Sequence, residues 1–267
     1  MKLLLLCAGF ATRLEAVTRG GPKPLLEIAG RSLLDRLLDD LLDGARRAAD
    51  DPRASRGAGE VRAGAIDEIL VVTNARHLAV YEAWAATRPV GEPPLRILDD
   101  GATDNASRLG AVRDLALAVG HFRLRAPLLV AAGDNLFRFD FSEFFADYQS
   151  RPRSLVLAMR ERDPARLRRS GVAQLDDEGR VLGFDEKPAH PRGEWVCPPV
   201  YLFEADALAE LPAFLNAAPD TDAPGNFVGW LAPRGHVWAH RMNGERFDVG
   251  TPESWAAAPA WLARHRG

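Results

Sequence analysis

Short apolar runs, each ending in small or polar residues and each followed by helical spacing, constrain this chain more than any other feature. Leu3 to Leu6 ends at Cys7-Ala8-Gly9, Ile66 to Thr73 at Asn74, and Leu95 to Leu98 at Asp99. Pro127 to Ala132 runs into Gly133-Asp134-Asn135, and Ser154 to Met159 forms a further strand. Between them Leu33, Leu34, Leu37, Leu38, Leu41 and Leu42 keep the spacing of one helix face, with Ser32 as its N-cap. Residues 77–88, 109–119 and 141–150 carry the same helical signal. This alternation predicts an α/β fold with a doubly wound, mixed but mostly parallel sheet flanked by helices. In such sheets ligands bind at the carboxyl ends of the strands. Gly9, Asn74, the loop from Asp99 to Ser107, and Asp134 all fall there.

Beyond residue 150 the pattern changes. Gly171 to Asp176 and Val181 to Asp185 read as a hairpin around Asp177-Glu178-Gly179. Trp195 to Phe203 is apolar and extended, but Pro198-Pro199 argues against a regular central strand. A small helix near residues 205–211, a Pro-rich loop over 212–225, a turn or two of helix over 227–231 and a strand over 237–242 follow. A last helix begins after Thr251 with Pro252 in its first turn. The reading is one domain over 1–267, with a nucleotide-binding part (1–150) continuous with a small acceptor-binding β subdomain (151–267). Residues 44–64, rich in Ala, Arg, Asp and Gly, read as a helix tail plus a mobile surface insertion.

Composition narrows the partners. The net charge is −3 with a pI near 6.1, so no basic field draws the chain to nucleic acid or anionic lipid. The leucine run after Lys2 is too short for a signal segment, and Arg13, Glu15 and Arg19 follow it closely. Nothing approaches a membrane span. Cys7 and Cys197 are too few for a disulfide framework or a zinc site. A cytoplasmic protein that contacts neither nucleic acid nor membrane is expected.

The chemistry concentrates in a few residues. A strand opening into the small-residue loop Gly9 to Thr12 presents backbone N–H groups to an anion such as phosphate. Arg13 and Lys23 bring two cations to the same edge. In isolation, a turn glycine and a surface arginine read equally well. Asp134 closes a strand and Asp248 lies between a strand and a helix start, where a cap is the simpler reading. Two such carboxylates nevertheless suit Mg²⁺, which keeps waters and takes one or two carboxylates plus phosphate oxygens. Asp185-Glu186-Lys187-Pro188 adds another cation beside an acid. The six histidines are scattered and carry no assigned role.

Together the segments CAGFATRL…GGPKPLLEIAG, AAGDN, GFDEKP and FDVGTPE resemble, in order and spacing, the sugar-1-phosphate nucleotidyltransferases. These have a Rossmann-like fold and join a nucleoside triphosphate to a sugar 1-phosphate with release of pyrophosphate. The resemblance implies that Ala8, Gly9, Ala11, Thr12 and Arg13, with Asn105 and Gly110, hold the nucleotide. It implies that Arg13 and Lys23 are catalytic and that Asp134 and Asp248 hold Mg²⁺, with Asp134 also facing the nucleotide. Gly171, Glu186 and Lys187 are implied to bind the sugar phosphate, and a homodimer is compatible with it.

The departures from that family bear on substrate choice. Ala11 stands where a second glycine is usual, so a positive φ there would be strained. The loop 101–107 lacks the glutamine that some members use to read the base. Ser170 replaces an aromatic residue, and Pro198-Pro199 stands where small polar residues line the sugar pocket. The chain ends after the catalytic region, so a β-helical tail, trimer assembly through it and a fused acyltransferase activity are not expected. Three other readings stay open: a nucleotide-sugar-dependent glycosyltransferase, a catalytically silent regulatory subunit, and the same chemistry on a cyclitol phosphate or phosphocholine.

Overall fold

The computed structural model describes residues 1–51, 65–217 and 220–264. Strand β1 (Lys2–Leu6) leads through a 3₁₀ turn (Thr12–Leu14), helix α1 (Glu15–Thr18) and a second 3₁₀ turn (Lys23–Leu25) to β2 (Glu27–Ile28) and β3 (Arg31–Ser32). Then come α2 (Leu33–Asp50), β4 (Glu68–Thr73), α3 (Leu78–Ala85), β5 (Leu95–Asp99), α4 (Ala111–His121), β6 (Leu128–Ala132), β7 (Asn135–Arg138) and α5 (Phe141–Ser150). The second half holds β8 (Ser154–Arg160), α6 (Pro164–Leu167), β9 (Gly171–Leu175), β10 (Val181–Glu186), β11 (Trp195–Val196) and β12 (Val200–Phe203). It closes with α7 (Ala205–Ala209), α8 (Leu211–Ala217), α9 (Gly225–Leu231), β13 (Val237–Arg241), β14 (Glu245–Asp248) and α10 (Pro252–Ala263).

The main sheet runs β10-β9-β11-β8-β12-β6-β1-β4-β5, with β13 added parallel to β8. Its β6-β1-β4-β5 portion is wholly parallel. Beyond it, β12 pairs antiparallel with both β6 and β8, so the sheet continues unbroken into the second half. Alternation sorts side chains to two faces. Leu3 and Leu5 face α2, α3 and α5 through Leu37, Leu41, Tyr81 and Phe141, whereas Leu4 joins Val112, Leu115, Phe214 and Phe227 on the other face. Among the described residues no helix is long and apolar enough to cross a membrane.

Three expectations need correction. Val200–Phe203 is a buried central strand. Pro198-Pro199 splits the apolar run before β12 rather than demoting it, because the prolines lie outside the ladder. Residues 211–217 are helical rather than a Pro-rich loop, since Pro212 lies in the first turn, where its missing N–H costs nothing. The stretch 44–50 is the expected helix tail and completes α2, with Gly44, Ala45 and Ala48 buried, so these residues belong to the packed helix and not to a mobile insertion. The missing side chain of Gly44 lets α2 lie close against Phe141 of α5. Residues 52–64 of the expected insertion lie outside the described residues.

One buried amide ties the first loop to the sheet. Asn74, fully buried after β4, donates from Nδ2 to the Ala8 carbonyl at 2.8 Å and accepts from the His77 N–H at 3.0 Å. Asn74→Ala leaves the buried Ala8 carbonyl unpaired, a loss of order 1–3 kcal/mol, whereas the His77 N–H keeps its bond to the Asn74 backbone carbonyl at 3.1 Å. Chemical denaturation is expected to show a stability loss of about 1–3 kcal/mol; an unchanged midpoint would refute this accounting.

Candidate active site

Lys23, Asp134 and Asp248 meet although they are far apart in the chain. Lys23 opens the 3₁₀ turn after Pro22, a segment anchored by buried Pro24. Asp134 sits at the tight turn between β6 and β7. In the small β7–β14 ladder Asp248 lies opposite Asn135, which brings it beside Asp134. An apolar cluster of Ile28, Leu33, Leu136, Val249, Ala258 and Trp261 holds that ladder against α10. A Thr251–Ser254 capping box fixes the start of α10 immediately beyond. Lys23 Nζ is 2.9 Å from Asp134 Oδ2 and 3.9 Å from Asp248 Oδ1. The two carboxylates therefore address one point, now held by an ammonium that is only 12% exposed. Burial alone would raise the Asp134 carboxyl. The charge and hydrogen bond of Lys23, with Arg246 behind, more than offset it and hold the carboxyl below its usual range.

Two adjoining cavities open at this point. The first, of about 420 Å³, is lined by residues 9–14 with Lys23, Asn105, Arg108, Asp134 and Asp222. Among the described residues no group accepts from the N–H of Gly9, Phe10 or Ala11. Ala11 has φ 51° and ψ 34°, the left-handed conformation expected to be strained there. Arg13 is exposed and makes no ion pair with the described residues. The second cavity, of about 690 Å³, is lined by Gly171, Glu186, Lys187, Arg168, Arg169, Arg246 and Asp248 among others. Arg13, Asp134 and Asp222 line both.

Glu186 ends β10 with its carboxylate packed beside Gly171, where a Cβ would lie 3.0 Å from Oε2. Burial raises its carboxyl, and Lys187, 3.8 Å away, partly offsets that. Lys187 has φ 46°, a second non-glycine residue in the left-handed region within the cleft. Two expected residues are not brought into the lining. Ala8 is buried, its carbonyl engaged by Asn74. Gly110, at φ 91°, packs instead on the backbone of Thr221, 2.7 Å from where its Cβ would sit. The N–H groups of Ala111 and Val112 bond the 221–222 carbonyls beside it. Thr12 and Asn105 line the first cavity as expected.

Several residues of the cleft escaped sequence reasoning. Arg246 lies two positions before Asp248 on one strand, so period-2 spacing places both on one face, and its charge reaches Asp134 and Glu186. Arg108 bonds Asp222 at 3.0 Å across the two halves, a pairing between positions with no local signal. His77, set aside with the other histidines, is buried and contacts the Gly20 carbonyl through Nε2 at 3.0 Å. It supports the first loop from beneath.

The chain belongs to the nucleotidyl transferase family, whose model matches residues 57–264. Glucose-1-phosphate adenylyltransferase of Fervidobacterium nodosum is 23% identical over 256 residues, which cover 94% of this chain and 59% of that protein. The same enzyme of Thermomicrobium roseum is 30% identical over 167 residues, covering 58% of this chain and 39% of that protein. The chain thus spans about three fifths or less of the length of these curated relatives. A crystal structure of UDP-glucose pyrophosphorylase complexed with UDP-glucose superposes with a TM-score of 0.77 at 17% identity, covering 98% of this chain and 97% of that one. That likeness shows the shared nucleotide-sugar transferase fold.

The loop behind Asn105 carries a titratable device. Asp100 Oδ1 accepts from the Ala102 N–H at 2.8 Å, while its Oδ2 and Asp114 Oδ1 are buried without another donor. Burial first, then the adjacent Asp100 carboxylate, pushes Asp114 up to about 8, so Asp114 donates a proton to Asp100. The folded state keeps a proton that an unfolded aspartate releases near 3.8. This contribution to stability is complete below about pH 4 and is lost as pH rises through about 8. Asp114→Asn is therefore expected to flatten the decline of Tm between pH 5 and pH 9, read by thermal melts against wild type; an unaltered slope would refute the shared proton.

Proposed function

We propose that this chain transfers a nucleotidyl group from a nucleoside triphosphate to a sugar 1-phosphate, yielding a nucleotide sugar and pyrophosphate with Mg²⁺ as cofactor. The observation that carries the reading is the pair of adjoining cavities sharing Arg13 and Asp134. One cavity offers unpaired N–H groups and the other unpaired cations, so two anionic substrates have separate seats with a common wall. The relatives named above are glucose-1-phosphate adenylyltransferases and a UDP-glucose pyrophosphorylase with UDP-glucose bound, which supports the acceptor class.

Whether the residues suit Mg²⁺ turns on the donor set. Among the described residues no cluster of three or more metal-ligating side chains exists. Asp134 and Asp248, both directed at the Lys23 ammonium, supply the two carboxylates that a phosphate-bound Mg²⁺ takes from protein. When bound there, Mg²⁺ would neutralise charge on the triphosphate oxygens. The chain's own groups do the rest. The N–H groups of Gly9 to Ala11 cradle the phosphates, and Arg13, without an ion pair among the described residues, bears on the α-phosphate from the shared wall. Lys187 and Arg246 hold the acceptor phosphate, and Glu186 accepts from a sugar hydroxyl. An acceptor phosphate oxygen attacks the α-phosphorus as the bond to the bridging β-phosphate oxygen breaks, and pyrophosphate leaves. The nucleophile is already an anion, so no general base or covalent enzyme intermediate is required.

The other readings fare less well. A silent regulatory subunit has no use for the full set of Arg13, Lys23, Asp134, Lys187 and Asp248. Phosphocholine calls for an aromatic cage, whereas Tyr201, itself 2% exposed, is the one aromatic side chain among the described lining of the second cavity.

The test is a pyrophosphate-release screen of five triphosphates against sugar 1-phosphates. Turnover is expected with at least one pair and is abolished by chelator. Arg13→Ala is expected to lower kcat by a factor of order one hundred or more, about 3 kcal/mol. Asp134→Asn and Asp248→Asn are expected to lose turnover while keeping the native circular dichroism spectrum. No pyrophosphate from any pair, or normal turnover by Arg13→Ala, would refute the proposal.

A further inference from the structure

We propose that the acceptor carries a second anionic substituent, a carboxylate or a phosphate ester, besides the phosphate that attacks, and that Arg168 and Arg169 receive it. The inference rests on the nucleotidyl-transfer reading of the cleft. Arg168 and Arg169 line the second cavity, are exposed to it, and make no ion pair or side-chain hydrogen bond with the described residues. Their neighbour Arg166 behaves differently. It takes both nearby acids, reaching Glu161 at 3.4 Å and Asp163 at 3.7 Å. Unlike Arg166, the two guanidinium groups at the cleft have no counter-charge among the described residues.

They are also held in place. The N–H groups of Arg168, Arg169 and Ser170 bond the carbonyls of Pro164, Arg166 and Leu167 at 3.1, 3.0 and 3.2 Å. Leu167 is buried against Val172 and Val196, which pins the turn to β9 and β11. Ser170 in turn accepts from the N–H of Lys187 at 3.1 Å, so the arginine turn and the phosphate-directed lysine share one wall. Two adjacent unpaired guanidinium groups on a fixed turn repel each other and favour an anion between or beside them. Their planar donor forks match carboxylate and phosphate alike.

The rest of the wall is mixed. Ala132, Cys197, Pro199, Ala223 and Pro224 contribute apolar surface, Asp222 pairs with Arg108, and Thr251 and Ser254 bond each other, while Ser170, Asn135, Tyr201 and Glu186 remain as groups able to meet a hydroxyl. Lys187 and Arg246 already answer the attacking phosphate. A neutral sugar would leave Arg168 and Arg169 without a partner, whereas a second anion gives them one and lets charge, more than hydroxyl pattern, select the acceptor.

The experiment compares a hexose 1-phosphate, its uronic acid 1-phosphate and its 1,6-bisphosphate with the full chain and its best triphosphate, reading pyrophosphate. At least one doubly anionic acceptor is expected to exceed the neutral one tenfold or more in kcat/KM, chiefly through KM, and the excess should shrink as salt rises. A preference for the uronate alone assigns a carboxylate, and for the bisphosphate alone a phosphate. The Arg168→Gln/Arg169→Gln double variant is expected to fold, by thermal melt, and to bring that ratio close to one. Turnover of the neutral acceptor with no charged preference overturns this inference while leaving the nucleotidyl-transfer reading intact. Preference retained by the double variant overturns the arginine assignment. No pyrophosphate with any acceptor refutes the underlying reading itself.

Discussion

The ammonium of Lys23, set between the carboxylates of Asp134 and Asp248, is the interaction on which the rest of the cleft depends. Each partner comes from a different structural unit: the turn after the first loop, the end of a parallel strand, and the end of the β7–β14 ladder. Two carboxylates aimed at one point repel, and a mostly buried cation between them removes that penalty. Taking away Lys23 would leave the two carboxylates facing each other with no cation between them, whereas taking away either aspartate leaves one carboxylate with the ammonium. The same geometry suits the proposed chemistry. Asp134 and Asp248 are the residues that would hold a divalent ion if one is bound, and Lys23 beside them would be placed to meet phosphate oxygens.

Around this knot the backbone is held where relaxed chains seldom go. Ala11 and Lys187 occupy the left-handed region without the freedom of glycine. Neither strain stands alone. The first loop is fastened by Asn74 to the Ala8 carbonyl and propped by His77 against Gly20, while the Lys187 N–H is bonded to Ser170. Strain persists only where the surroundings over-determine it, and here the fastening groups are two buried side chains, Asn74 and His77, and the backbone carbonyl of Ser170. Stability is thus spent on holding N–H groups and cations open to ligand rather than paired within the protein.

The parallel half of the fold was legible because its strands are short, apolar and separated by strongly periodic helices. Leu3 to Leu6 and the stripe from Leu33 to Leu42 each read one way. The β7–β14 ladder was not, since Asn135–Arg138 and Glu245–Asp248 are short, polar and paired only with each other across more than a hundred residues. Pro198-Pro199 misled because a proline's effect depends on whether its position lies inside a ladder, which tertiary structure decides. In the site, Arg13, Lys23, Asp134, Glu186, Lys187 and Asp248 stood out because each closes a strand or follows a tight turn. Ala8 and Gly110 were expected there from the family resemblance, yet the structure uses them for a buried carbonyl contact and for packing on Thr221. Small residues near a site serve either purpose, and spacing does not distinguish them.

Arg246, Arg168 and Arg169 were overlooked because an arginine on a chain with many arginines carries no local signal. What distinguishes them is the absence of a partner among the described residues, and pairing is a property of the fold. Arg108 makes the point by contrast. It also lines the cleft, but Asp222 holds it, and the pair links the loop after β5 to the segment before α9. A paired arginine at that place acts as a strut between the two halves of the cleft. An unpaired one is a standing attraction for an anion. The division of the cleft follows from this difference. Struts and buried amides fix its shape, while Arg13 at the shared wall and the arginines of the second cavity carry charge that no described residue neutralises, as the proposed binding of anions requires.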